Sequence, residues 1–330
     1  MLRTCRARHD RFALNAPFRI SRGVKTAADV VTVTVEGGGH VGRGEGVPYP
    51  RYGETIDDAL AQIARIAPLI ADGAGRADLD AAMPAGAARN AVDAALWDWE
   101  ARAAGTTVAA LAGIAPAAPV ASAITIAIDT PDAMGATAAR HAHVPLLKVK
   151  VNREDALAQI AAVRAAAPAP RLIADPNESW TIAEVLVWQD MLLDQRVDLL
   201  EQPLPAGEDG ALADVTSPIA ICADESLHTR ADLDALRGRY THVNVKLDKT
   251  GGLTEALALA DAAVDRGFGL MVGCMVCSSL GIAPALLLAG RAAFVDLDGP
   301  LWLSHDRDGG VVDRDGILHP PAAGFWGAAA

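Results

Sequence analysis

Charged residues follow the short apolar segments in the second half of the chain at a nearly constant spacing. The steps between them are 25, 26, 23, 22 and 50 residues, the last being two units of 25, and the residues are Lys150, Asp175, Glu201, Asp224, Lys246 and Asp296. Such a step is the length of one strand plus one helix. Each charge therefore stands at the carboxyl end of its own strand, and in a barrel of parallel strands those ends share the face on which active sites are built.

The segments that carry these charges predict a parallel barrel. From about residue 119 onward, eight strand-like segments alternate with alanine-rich helical segments; the strands are expected at 121–127, 146–151, 171–174, 199–200, 219–223, 242–247, 269–272 and 293–297. Eight is the number of parallel strands that closes a (β/α) barrel. An open doubly wound sheet is the competing layout, because the sequence does not show whether the sheet has an edge.

The first third of the chain has a different pattern, which predicts a separate α+β unit. VVTVTV at 30–35 and VGRGEG at 41–46 flank a glycine-rich turn and predict a hairpin, while helical periodicity covers 56–71 and 88–104. The tail after Asp306 has the pattern of a hairpin that returns to this unit. We therefore predict an α/β protein: a modified TIM (β/α) barrel at 119–305 with an α+β N-terminal capping domain at 1–118, which the segment 306–330 joins.

Composition excludes several classes of partner. A formal charge of −12 disfavours nucleic acids and anionic lipid surfaces. The longest apolar run, 280–290, is much shorter than the about 20 residues of a spanning helix. Four cysteines do not make a disulfide framework, and no apolar leader follows the first arginines. We expect a cytoplasmic protein with a small-molecule substrate, and a homo-oligomer is compatible with these features.

Three carboxylates, Asp175, Glu201 and Asp224, are predicted to converge at the barrel mouth. Like charges in a low dielectric raise one another's pKa, so three ionised carboxylates need a cation between them. Oxygen ligands without histidine or thiolate favour Mg²⁺ or Mn²⁺ over Zn²⁺. Each carboxylate taken singly could instead cap a helix or meet solvent. Together, and in register with lysines, they predict one divalent metal ion per subunit.

Lysines on two strands predict proton transfer. Lys148 and Lys150 are two residues apart, so both point to the same face of a strand, and their apolar flanks place that face inside the barrel. Two ammonium groups so close are expected to lower each other's pKa and leave one lysine neutral. Lys246 on the sixth strand lies opposite Lys150 on the second. One base on each side of a substrate carbon predicts 1,1-proton transfer, hence an epimerase or racemase whose metal holds the substrate carboxylate.

Several motifs resemble those of the muconate-lactonizing subgroup of the enolase superfamily, and within it the dipeptide epimerases that act on L-Ala-D/L-Glu. They are KVKVN (148–152), IADPNESW (173–180), LLEQPL (199–204), ADESL (223–227), NVKLDKTGG (244–252), GCMVCSSLG (273–281) and VDLDGPLW (295–302). The resemblance implies that Asp175, Glu201 and Asp224 bind Mg²⁺ and that Lys150 and Lys246 are the acid/base pair. Lys148 would lie beside the substrate carboxylate, and the activity would serve the breakdown of murein peptides.

The substrate pocket is predicted from the strand ends and the capping domain. Asp296 and Asp298 share a face and would form an anionic cradle for a substrate ammonium group, as the corresponding pair does in the dipeptide epimerases. The cations available for an acidic substrate side chain are Arg22, Lys25 and Arg51, with Arg22 the first choice. From the segment after the seventh strand, we expect substrate contacts from Cys274, Met275 and Ser278.

Two other functions stay open at this point. Relatives with the same lysines and carboxylates include o-succinylbenzoate synthase, N-succinylamino acid racemase and muconate cycloisomerase, although Asp296 and Asp298 disfavour their anionic substrates. A metal-dependent binding protein without catalysis is the other alternative, and the complete set of catalytic residues argues against it. Cys274 and Cys277 have the CxxC spacing of redox sites, but no thioredoxin pattern surrounds them.

Overall fold

The computed structural model describes residues 3–327. Its first part is an antiparallel sheet of three strands in the order β1 (Thr4–Ile20), β2 (Gly23–Gly37) and β3 (His40–Gly46). The hairpin predicted at 30–46 is the pair β2 and β3, and the long strand β1 extends it along the other edge of β2. The sequence pattern did not indicate β1, because all of its residues are exposed or half-buried and it has no run of buried apolar side chains.

Four helices complete the capping unit: α1 (Ile56–Ala71), α2 (Arg76–Ala82), α3 (Ala87–Ala103) and α4 (Val108–Ala112). Alternate glycines let α3 lie directly on β3. A Cβ atom on Gly42 would lie 2.2 Å from the Ala95 carbonyl oxygen, and one on Gly44 would lie 2.1 Å from that of Ala91. Glu45 stands between such glycines and therefore points to the opposite face of the strand, towards the barrel.

The second part is a parallel sheet of eight strands in sequential order, as predicted for the barrel. The strands are β5 (Ile124–Ile126), β6 (Leu146–Lys150), β7 (Arg171–Asp175), β8 (Leu199–Glu201), β9 (Ala220–Ala223), β10 (His242–Lys246), β11 (Gly269–Gly273) and β12 (Phe294–Asp296). Across the seam, Ala123 N donates to Val295 O at 2.8 Å and Leu297 N donates to Ser122 Oγ at 2.9 Å. The predicted barrel is confirmed, and the open doubly wound alternative is excluded.

The helices outside the barrel range from four to 13 residues in length. They are α5 (Pro131–Arg140), α6 (Ala156–Ala166), α7 (Ile182–Val187), α8 (Gln189–Asp194), α9 (Leu233–Leu236), α10 (Leu247–Thr250), α11 (Leu253–Asp265), α12 (Ser279–Ile282) and α13 (Leu286–Ala289). Within residues 3–327, no helix combines the length and apolar character needed to cross a membrane.

The tail divides its contacts between the two parts of the molecule. Its hairpin, β13 (Val312–Arg314) and β14 (Ile317–His319), pairs with β4 (Val120–Ala121), which precedes the first barrel strand, and not with the capping sheet. The last described residues do reach the capping unit: Trp326 Nε1 donates to Arg43 O at 3.0 Å, and Gly327 N donates to Asp98 Oδ1 at 2.7 Å. The tail therefore holds the cap to the barrel.

Candidate active site

The charged residues that set the sequence spacing lie at the carboxyl ends of the barrel strands. Five of them are the last residues of their strands, and Asp224 directly follows β9. Four of the six, Lys150, Asp224, Lys246 and Asp296, line a cavity of about 460 Å³ together with the capping segments, whereas Asp175 and Glu201 lie behind its wall. The charged side chains that line it from the barrel are Lys148, Lys150, Asp224, Glu225, Lys246, Asp296 and Asp298.

Lys150 and Lys246 stand on opposite sides of the barrel. Lys150 ends the second barrel strand, β6, and Lys246 ends the sixth, β10. Both line the cavity, and each is only 6% exposed. Lys150 Nζ donates to Asp175 Oδ2, and Lys246 Nζ donates to Asp224 Oδ2 at 2.7 Å. A substrate carbon between the two ammonium groups would have one proton-transfer group on each face.

Lys148 lies at the centre of the carboxylate cluster. Its fully buried Nζ is 2.6 Å from Glu201 Oε2, 2.7 Å from Asp296 Oδ2 and 3.0 Å from Asp175 Oδ2. Burial acts to lower the pKa of Lys148, but these carboxylates outweigh it and raise the pKa well above its ordinary value. The pKa of Lys246 is likewise raised by Asp224 against the effect of burial. The predicted lowering of the pKa is therefore wrong for Lys148, because three carboxylates face its ammonium group.

The three predicted metal ligands share this cluster. Among residues 3–327, no three His, Cys, Asp or Glu side chains are arranged to hold a metal as they stand, because lysines lie between the carboxylates. The oxygens nevertheless fit a hard cation. Although Lys148 Nζ contacts Glu201 Oε2, burial together with the charge of Asp175 raises the pKa of Glu201 to about 7. The lysines thus leave the ionised form of Glu201 destabilised, and a divalent ion would stabilise it.

Lys249 is a further buried lysine of the carboxylate cluster that the sequence analysis did not identify. It is 1% exposed, and its Nζ donates to Asp224 Oδ1 at 2.6 Å, to Asn244 O at 3.1 Å and to Asp224 O. The short helix α10 places it there, and this helix ends at Gly251, whose φ of +80° is in the left-handed region. A lysine one turn after a strand-end lysine is the signal that could have found it.

The two capping arginines contact barrel carboxylates. Arg22 Nη2 lies 2.6 Å from Glu225 Oε1, and Arg22 Nη1 donates to Glu178 Oε2 at 3.0 Å. Arg51 binds both oxygens of Glu178, at 2.8 and 2.7 Å. Both arginines line the cavity, but their charges are already compensated.

Lys25 lines the same cavity and forms no ion pair with any described residue. Its Nζ lies 4.7 Å from the centre of the Tyr49 ring, a cation–π contact. Burial lowers the pKa of Lys25, because the charged ammonium group is poorly solvated there. Of the three cations predicted to receive an acidic side chain, Lys25 is therefore the one without a counter-ion.

Asp296 and Asp298 line the cavity at the end of the last barrel strand, β12. Asp298 Oδ2 accepts hydrogen bonds from Thr125 N at 2.7 Å and from Trp302 Nε1 at 3.4 Å. Asp296 Oδ1 has no hydrogen-bond partner. Burial and the charge of Asp296 raise the pKa of Asp298 to about 6. This pair can therefore accept a cationic group from the cavity.

The segment after β11 supplies Cys274 and Met275 to the cavity but not Ser278. Ser278 is fully buried: its N and Oγ both donate to Glu45, and its Oγ accepts from Arg307 Nε at 2.8 Å. Arg307 Nη2 also donates to Glu45 at 2.8 Å. The predicted substrate contact of Ser278 is wrong, because this serine joins the segment to the cap and the tail.

A capped (β/α) barrel whose strand ends bear opposed lysines and a carboxylate cluster defines an enzyme of the enolase type. Two family models match the chain: "Mandelate racemase / muconate lactonizing enzyme, N-terminal domain" at residues 2–113 and "Enolase C-terminal domain-like" at residues 133–325. The chain belongs to the mandelate racemase / muconate lactonizing enzyme family of the enolase superfamily. Its relatives are named epimerases and racemases, and the chain is an isomerase.

Individual relatives cover almost the whole chain. An L-Ala-D/L-Glu epimerase of Escherichia coli K12 is 46% identical over 96% of this chain and all of its own length. An N-acetyl-D-glutamate racemase of Pseudoalteromonas is 44% identical over 87% of this chain and 92% of its own. The solved structure of an enolase family member from Agrobacterium tumefaciens, with bound sodium and L-Ala-L-Glu, is 48% identical, has a TM-score of 0.96, and covers 98% of this chain and 100% of that one. Solved dipeptide epimerases 27% to 29% identical to this chain contain Mg and a dipeptide.

Proposed function

We propose that this enzyme epimerises a dipeptide at the α-carbon of its C-terminal residue, with L-Ala-D/L-Glu preferred, by an Mg²⁺-dependent two-base proton transfer. The opposed placement of Lys150 and Lys246 across one cavity carries the proposal. It is supported by the 46% identity to an L-Ala-D/L-Glu epimerase and by the L-Ala-L-Glu bound to the structural relative at 48% identity.

The two lysines would divide the reaction between them. For one diastereomer, Lys150 takes the α-proton and Lys246 delivers a proton to the opposite face; for the other diastereomer, the roles reverse. Lys148 would lie beside the substrate carboxylate. Asp175, Glu201 and Asp224 would hold one Mg²⁺, or Mn²⁺, per subunit, and a bound ion supplies positive charge that stabilises the substrate carboxylate as the α-proton leaves.

Proton NMR of L-Ala-L-Glu with the purified enzyme in D₂O tests the proposal. Loss of the Glu α-proton signal and growth of L-Ala-D-Glu signals, both abolished by a chelator and restored by Mg²⁺, would establish reaction, substrate and metal together. If the α-proton signals of a panel of dipeptides persist in the presence of Mg²⁺, the proposed activity is wrong.

Substrate binding is expected to weaken below pH about 6. The ammonium group of the dipeptide would bind Asp296 and Asp298, and Asp298, with its pKa raised to about 6, takes up a proton as the pH falls through that value. Because kcat/KM reports the free enzyme, its acid limb should show this ionisation. Asp298→Asn keeps an oxygen for Thr125 N, yet it should lower kcat/KM about 100-fold and remove that limb. An unchanged pH profile in this variant would contradict the role.

Lys25→Met is expected to remove the preference for glutamate. Lys25 lines the cavity without an ion pair to any of residues 3–327, whereas Arg22 already binds Glu225 and Glu178. The variant should lose about 10- to 100-fold in kcat/KM for L-Ala-L-Glu and much less for L-Ala-L-Gln, because only the former presents a carboxylate. Arg22→Met is the matched comparison, and a larger loss of glutamate preference there would assign the contact to Arg22 instead.

Racemisation of an N-acylated amino acid is the second candidate, because one relative at 44% identity is an N-acetyl-D-glutamate racemase. Both named activities use a glutamate whose nitrogen is acylated, so the two substrates differ in the acyl group. The alanyl group of the dipeptide carries an ammonium group, whereas an acetyl group carries none and would leave the Asp296–Asp298 pair without a cation. Parallel assays of L-Ala-L-Glu, N-acetyl-L-glutamate and an N-succinyl amino acid decide between the two.

The proposed substrate would place the enzyme in the breakdown of murein peptides. The four cysteines, all free, support a reducing cytoplasmic setting. We propose that residues 1–118, joined by 306–330, act as the cap that selects the substrate side chain, and that residues 119–305 carry the chemistry.

A further inference from the structure

Two thiols stand at the wall of the cavity. Cys274 and Cys277 follow β11 with two residues between them, and the side chain of Cys274 is close enough to Cys277 to raise its pKa. Both are free. Cys274 is partly exposed and lines the cavity, whereas Cys277 is 1% exposed. A reagent that enters the cavity therefore meets the sulfur of Cys274 first.

Each sulfur lies close to the backbone of one glycine. A Cβ atom on Gly299 would lie 3.1 Å from Cys274 Sγ, and one on Gly281 would lie 3.0 Å from Cys277 Sγ. Gly299 directly follows Asp298, and Met275, between the two cysteines, lines the cavity. A change in the position of either sulfur must therefore displace the cavity wall beside Asp298, because close-packed interiors transmit such shifts.

We propose that Cys274 and Cys277 form a peroxide-sensitive dithiol, a modification site whose disulfide disturbs the substrate pocket. A hydroperoxide is the oxidant that accepts the two electrons released when the disulfide forms. The sulfur of Cys274 attacks the peroxide oxygen, the O–O bond breaks, and Cys274 becomes a sulfenic acid while the alcohol or water leaves. The sulfur of Cys277 then attacks that of Cys274, the S–O bond breaks, and water leaves with the Cys277 proton.

The environments of the two cysteines indicate which sulfur is oxidised first. Only Cys274 is accessible from the cavity. The side chain of Cys274 and burial raise the pKa of Cys277 well above its ordinary value, so Cys277 stays a thiol until its neighbour is oxidised. A bound substrate would cover Cys274 and slow the first step.

The test uses the reduced full-length enzyme treated with hydrogen peroxide, unfolded in N-ethylmaleimide and digested with trypsin. Both cysteines fall in the single peptide 267–291, because no Lys or Arg lies between Arg266 and Arg291. We expect this peptide to resist labelling and to be lighter by two hydrogens, and dithiothreitol should reverse both changes. Dipeptide turnover, a readout that rests on the proposed function, should lose about 10- to 100-fold in kcat/KM and recover with the reductant.

Variants separate this pair from the other cysteines. Cys5→Ser removes a thiol on β1 of the cap and should leave both the peptide result and the reversible loss intact. Cys277→Ser should give no disulfide and leave a sulfenic acid on Cys274 that dimedone traps. The proposal is overturned if peptide 267–291 takes two maleimide labels after peroxide, or if the disulfide forms and turnover is unchanged. The mass of the peptide does not depend on which substrate the enzyme uses. The disulfide can therefore be tested even if the proposed function is wrong.

Discussion

Alanine at Lys150 or at Lys246 is expected to reduce epimerisation of L-Ala-L-Glu at least about 1,000-fold, because each variant keeps only one of the two proton-transfer groups. The two lysines lie on the second and sixth strands and enter the cavity from opposite sides. Neither can replace the other, since each reaches one face of the α-carbon only. The measurement is the rate at which L-Ala-D-Glu appears.

Isotope exchange should reveal which face each lysine serves. In D₂O, Lys246→Ala should still exchange the α-proton of the diastereomer that presents it to Lys150, and return deuterium to the same face. Lys150→Ala should exchange the other diastereomer. Exchange without inversion in each variant, with opposite substrate preference, is the specific signature of two bases.

Arginine replacements control for charge. Lys150→Arg and Lys246→Arg keep a cation next to Asp175 and Asp224, respectively, but arginine does not give up its proton in proteins. They should be as slow as the alanine variants while disturbing the carboxylates less. Rapid epimerisation by any of the four variants would exclude the two-base assignment.

Methionine at Lys249 is expected to lower both stability and metal affinity. Lys249 is buried against Asp224, and removing one partner of a buried ion pair costs about 3–5 kcal/mol. Asp224 would lose the group that orients Oδ1, although Lys246 still contacts Oδ2. Weakening a contact that orients a metal ligand costs about 10- to 100-fold in affinity.

Denaturant unfolding in the presence of a chelator measures the change in the free energy of unfolding without any contribution from bound metal. Calorimetric titration of the folded variant with Mg²⁺ then measures affinity without reference to turnover. Lys249→Arg retains the charge and should recover part of the loss in both measurements. Unchanged unfolding and unchanged Mg²⁺ affinity in the methionine variant would show that Lys249 does not position Asp224.

Part of the site could be predicted from the chain because its signals are local. The spacing from Lys150 to Asp296 repeats the length of one strand–helix unit, so the topology of a parallel barrel brings these residues to one end. Lys148 and Lys150 share a face because side chains alternate along β6, a strand of five residues. No such local signal exists for Ser278, which was wrongly placed in the pocket because its partner, Glu45, is 233 residues away.

The sequence by itself determined the barrel, its cap, and the strand ends at which lysines and carboxylates occur, because periodicity records which face of each element is buried. Only the tertiary structure decided how the charges pair. Arg22 and Arg51 are compensated by Glu225 and Glu178 while Lys25 is not, and Lys249 is directed to Asp224. These pairings join elements far apart in the chain, and their energies depend on distance and burial, which a linear pattern does not contain.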